Sequence, residues 1–60
     1  MNEALLEAIR VLEEERQLLL KWVVESQSGG WSTHQVAPMR ARAEFLLNKI
    51  NELKVRAHGL

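Results

Sequence analysis

Three consecutive glutamates, Glu13, Glu14 and Glu15, followed by Arg16 and Gln17, are the residues in this chain that come nearest to a chemical constellation. Clustered carboxylates can hold a metal ion or divide the work of general acid and base. Either use requires convergence with groups from a facing element, and helical bundles supply them as Glu and His in Glu-x-x-His patterns. The stretch set opposite by the pairing derived below is Leu46, Leu47, Asn48 and Lys49, with no histidine. The spacing therefore points to a charged layer that sets register, with Arg16 against Glu15 or against a glutamate of a second chain.

The remaining chemistry-bearing side chains are scattered. His34 and His58 fall at opposite ends of the expected structure, with no Cys or Asp beside either. They read as a solvated turn residue and a partner for a helix C-terminus. No Ser/His/Asp set and no glycine-rich phosphate loop is present. A non-enzymatic protein without cofactor or metal is expected. Arg42, Lys49 and Arg56 recur every seven residues and, with Arg40, could form a basic ridge for nucleic-acid phosphates. The competing expectation is neutralisation within the chain, because that edge lies beside Glu15 and Trp22.

The elements that position these residues follow from period. Asn2 to about Glu25 contains no Gly or Pro and is rich in Ala, Leu, Glu, Arg and Gln, all strong helix formers. Leu5, Ile9, Leu12, Leu19 and Val23, with Arg16 in the intervening place, alternate steps of three and four as a coiled-coil seam does. A second seam runs through Met39, Ala43, Leu46, Ile50, Leu53 and Ala57. Asn2 is the expected N-cap of the first helix. Gly59 is placed for a left-handed C-cap of the second, with Leu60 folding back on its last turn. Lys54, Arg56 and His58 suit that helix end.

Between the seams lies "SQSGGWSTHQVAP", residues 26–38. Gly29 and Gly30 end the first helix, with Ser26, Gln27 and Ser28 as its polar end. Ser32 and Gln35 are spaced as a capping box, and Trp31 and Val36 as a hydrophobic staple. Pro38 belongs in the first turn of a helix. The expected boundaries are helix 1 about 2–26, a turn about 27–37 in which Ser32 opens a short helical turn, and helix 2 about 38–58. Trp22 and Trp31, near the tip, read as core and staple; an exposed one would be an anchor for a partner.

One antiparallel register pairs Leu5 with Ala57, Ile9 with Leu53, Leu12 with Ile50, Arg16 with Leu46, Leu19 with Ala43 and Val23 with Met39. The residue numbers of every pair total 62. Charge favours the same pairing. Residues 1–28 set Glu3, Glu7, Glu13, Glu14, Glu15 and Glu25 against Arg10, Arg16 and Lys21, a balance of −3. Residues 29–60 set Arg40, Arg42, Lys49, Lys54 and Arg56 against Glu44 and Glu52, a balance of +3.

A hairpin leaves much of the first helix unexplained. Beyond its seam it carries Leu6, Leu20 and Val24 on one flank and Val11, Leu18 and Trp22 on the other, with Leu47 on the second helix. Leaving such side chains wet forfeits roughly 1.5–3 kcal/mol each. Sixty residues also make a small core, and without cysteine no disulfide reinforces it. The fold class expected is all-α: a single helical-hairpin domain that dimerises into a four-helix bundle, the next simplest solution being a different protein on that surface. The function expected is protein–protein interaction as a regulator, adaptor or co-chaperone, with nucleic-acid binding as the alternative. Zero formal charge, no apolar run longer than "LLL" or "WVV", and the acidic opening "MNEALLEAIR" make membrane association unexpected and a cytoplasmic location the expectation.

Overall fold

The computed structural model describes residues 3–58, and the statements below concern these residues. Two helices, α1 (Glu3–Ser28) and α2 (Thr33–Ala57), pack against each other as an antiparallel hairpin. The result is a rod of 45 × 14 × 11 Å. Its radius of gyration is 14.0 Å, against about 10 Å for a compact globule of this length.

The core is a single stripe. Ile9 and Val23 of α1 are buried against Val36, Ala43, Leu46 and Ile50 of α2. Leu5, Leu12, Arg16, Leu19, Met39, Leu53 and Ala57 are partly covered. Polar contacts between the helices mark the register. Glu15 meets Arg42 on one edge of the stripe, while Glu13 meets Lys54 and Gln27 meets Arg40 on the other. Their residue numbers total 57 on the first edge and 67 on the second, straddling the 62 of the seam.

The link is shorter than the sequence reading expects, because both helices invade it. α1 continues through Ser28, and α2 starts at Thr33 instead of Pro38. Ser26, Gln27 and Ser28 are therefore helical. The Trp31 N–H donates to the Ser26 carbonyl (2.9 Å) and the Gly30 N–H to that of Gln27 (3.1 Å). This is a Schellman closure, and it needs a residue of positive φ at its turning point. Gly30 supplies it at φ 101°.

The capping box then opens α2 in full. The Gln35 N–H donates to Ser32 Oγ (3.2 Å), and the Ser32 N–H donates to Gln35 Oε1 (2.8 Å). This reciprocal cap is strong enough to start the helix before Pro38, which lies inside it. Pro38 forgoes only the rung to His34, whose exposed position lets water serve its carbonyl. An early start also extends the stripe. Val36 precedes Met39 by three residues and is fully buried, in register with the small Ser26.

At the far end the His58 N–H donates to the Lys54 carbonyl (3.1 Å). The capping roles expected of Asn2, Gly59 and Leu60 lie outside the described residues. Trp22 and Trp31 are not core: they are 49% and 51% exposed, because Val23 and Val36 occupy the stripe at the tip instead.

Two outcomes test this architecture. At Gly30 nothing lies within 4 Å of an added Cβ, so Gly30→Ala acts through backbone strain alone. It should cost about 1–2 kcal/mol in chemical denaturation, while D-alanine at the same position should not. Ile50→Asp puts an unpaired charge in the stripe and should abolish the cooperative loss of helical circular dichroism on heating; an Ile50→Asp chain that melts like the parent would refute the stripe.

Candidate interaction surfaces

The three consecutive glutamates do not converge. Successive helical residues point about 100° apart, and each carboxylate finds a different cation. Glu13 Oε2 lies 3.1 Å from Lys54 Nζ, Glu14 Oε1 2.6 Å from Arg10 Nη1, and Glu15 Oε2 3.2 Å from Arg42 Nε. All six side chains remain substantially exposed, so water and salt screen each pair and it adds little stability. Among the described residues no three His, Asp or Glu side chains are grouped so as to hold a metal ion. The expected Arg16–Glu15 pair is absent, because Glu15 points to the opposite edge and takes Arg42 instead.

Arg16 is left in an unusual position. It occupies an apolar place in the seam, and its Nε is buried with no hydrogen-bond partner. An orphaned buried donor carries its full desolvation penalty, more so when charged. Two open grooves meet at this side chain on one side of the hairpin. One, of about 230 Å³, runs toward Glu13, Asn51 and Lys54; the other, of about 360 Å³, runs toward Leu20, Arg40 and Glu44. Leu47 borders both. Leu20 and Leu47 are each 37% exposed here, and Leu6 and Val24 continue the same side along α1.

The other flank of α1 is also apolar and open. Val11, Leu18 and Trp22 are each nearly half exposed, and a hollow of about 420 Å³ lies against Leu18, Trp22 and Lys21. On α2 the exposed Phe45 ring sits beneath Arg42 (5.3 Å to its centroid) and Lys49 (5.7 Å). Phe45 and the exposed Val55 are surface apolar residues that the sequence reading did not single out. Phe45 was detectable from its neighbours, since Arg42 and Lys49 lie three and four residues away on the same helical face.

The basic ridge is largely occupied within the chain. Arg40 donates to Gln27, Arg42 to Glu15, and Lys49 Nζ to Glu52 Oε2 (3.3 Å). Arg40, held only by the neutral amide of Gln27, and Arg56 make no ion pair among the described residues. A phosphate would have to displace these partners. Comparison with protein-family models, curated proteins and solved structures finds no match.

On the outer face of α1, Arg10 bridges Glu7 and Glu14. The hydrogen bond from Arg10, and then its charge, hold the Glu7 carboxyl below the usual glutamate range. The folded value is the lower one. Whatever stability the pair adds is present above the ordinary range and fades as pH falls through the lowered value. In an NMR titration Glu7 should ionise at lower pH than an ordinary glutamate, and Arg10→Gln should return it to the usual range.

Proposed function

We propose that this chain is a non-enzymatic protein–protein interaction module: a helical hairpin that dimerises into a four-helix bundle and acts as a small regulator, adaptor or co-chaperone. The proposal includes a cytoplasmic setting, which a cysteine-free chain tolerates.

The observation that carries this reading is the state of α1 once its seam is satisfied. Leu6, Val11, Leu18, Leu20, Trp22 and Val24 all remain exposed, on two flanks, between 37% and 64%. The chain exposes 4582 Å² in all. A folded monomer of 6.9 kDa is expected to expose about 4,000 Å². The excess of about 600 Å² approaches the ~800 Å² that each partner contributes to an interface of standard size. A single stripe of six buried residues is also a small core for two helices of this length, and a second layer would supply what it lacks.

The test is solution mass by light scattering over a dilution series. A dimer that dissociates on dilution is expected. Leu20→Glu should weaken self-association at least tenfold, since burying one leucine contributes roughly 1.5–3 kcal/mol and a symmetric contact loses two. Helicity measured by circular dichroism should be retained. A parent chain that stays monomeric at every concentration would rule out the bundle.

A further inference from the structure

We propose, building on the dimer reading above, that the second copy seats on the Arg16–Leu20–Leu47 side of the hairpin, with Arg16 of each chain paired to Glu44 of the other.

Charge complementarity within this face identifies the occupant. Glu13 is matched by Lys54, while Arg40 donates to the neutral amide of Gln27 and keeps its charge unpaired. Arg16 and Glu44 line the same groove yet, among the described residues, make no ion pair with each other or with any other side chain. One is a donor with a buried, unpartnered Nε; the other is an acceptor without a cation among the described residues. A face that carries unpaired charge of both signs, Arg16 and Arg40 against Glu44, is complementary to itself. A polyanion would meet Glu13 and Glu44 on this side, and a polycation would meet Arg16, Arg40 and Lys54.

Geometry allows both pairs at once. Arg16 stands level with Leu46 along the rod, and Glu44 is two residues from Leu46, about 3 Å along the helix axis. A two-fold axis parallel to the helices lays α1 of one chain over α2 of the other, antiparallel and at the same level. Arg16 then reaches Glu44 of the second copy, and symmetry repeats the contact. The same operation brings Leu20 and Leu47 onto the apolar side of the mate, as an isologous interface requires. The opposite flank offers no such demand. There Glu15 is matched by Arg42 and Lys49 by Glu52, and Arg56 alone on that edge makes no ion pair among the described residues, so Val11, Leu18 and Trp22 stay available to a different protein.

Charge reversal by mixing tests the pairing. Arg16→Glu leaves carboxylates at both positions, and Glu44→Arg leaves cations at both. Each variant alone should self-associate at least tenfold more weakly than the parent by sedimentation equilibrium. An equimolar mixture should recover mixed dimers to within about threefold of the parental affinity, because both cross-chain pairs are complementary again. Repulsion confined to one chain would not be relieved by mixing. Glu44 is exposed, so Glu44→Arg keeps the hairpin readable if Arg16→Glu loses helicity, and Arg16→Gln then replaces it as the weakening variant. Variants that dimerise as the parent does, or an equimolar mixture of folded variants that stays monomeric, would overturn the pairing while leaving the dimer intact. A monomeric parent would overturn both.

Discussion

A core one side chain wide is the constraint on which the rest of this molecule depends. Two helices in contact can hide only the stripe along which they touch, and here that stripe contains Ile9 and Val23 against Val36, Ala43, Leu46 and Ile50. α2 comes closer to this situation, with Phe45, Leu47 and Val55 as its large apolar residues left exposed among the described ones. α1 does not. It carries large apolar residues on both sides of its stripe, which a single neighbour cannot reach. The mismatch between one helix suited to one neighbour and one suited to several makes association the natural reading.

Electrostatics has a different task from burial in this hairpin. The acidic excess of residues 1–28 and the basic excess of residues 29–60 become discrete contacts at the two edges of the stripe, Glu15 to Arg42 and Glu13 to Lys54. Each is too exposed to contribute much stability. Together they disfavour sliding of one helix along the other, since a shift of one turn would bring Glu13 or Glu15 away from its cation. Of the basic side chains aligned as a ridge, Arg42 is engaged in this way, and Arg40 and Lys49 are held by Gln27 and Glu52. The fan of three carboxylates has the same consequence for metal chemistry: side chains on successive residues that each hold a separate cation are arranged for spacing, not for convergence.

What could be read from sequence was whatever depends on local spacing. The alternation of three- and four-residue steps gave both stripes and their register, and Ser32 with Gln35 gave the cap of α2. For the start of α2 the sequence offers two signals, Pro38 as a first-turn residue and the capping box at Ser32, and the helix begins at the box. The two were not in conflict, since one missing rung beside a water-exposed carbonyl is tolerable. Extending the three–four alternation backward from Met39 to Val36 would have shown as much, and the same step would have displaced Trp31 from the tip of the core. The role of Glu15 was ambiguous for another reason. Position around a helix decides which edge a side chain serves, and Glu15 adjoins Arg16 in sequence but lies on the other edge from the grooves that meet there.

Arg16 is where the sequence breaks its own pattern, and the structure sharpens the break. Replacing this residue with leucine would complete the stripe, and an apolar layer of similar size is often as stable as a buried ion pair or more so. A lone hairpin thus gains nothing from an arginine whose Nε is buried and unmatched. In an assembly the balance changes sign. The buried donor then disfavours every arrangement that fails to bring it an acceptor, including slipped registers, the wrong face and the isolated chain. A single polar residue in a coiled-coil seam fixes register and oligomeric state in this way, at a cost in stability. The same residue that weakens the hairpin by itself would select one geometry among the many ways that apolar flanks can meet. Folding and partner choice would then be coupled through one side chain.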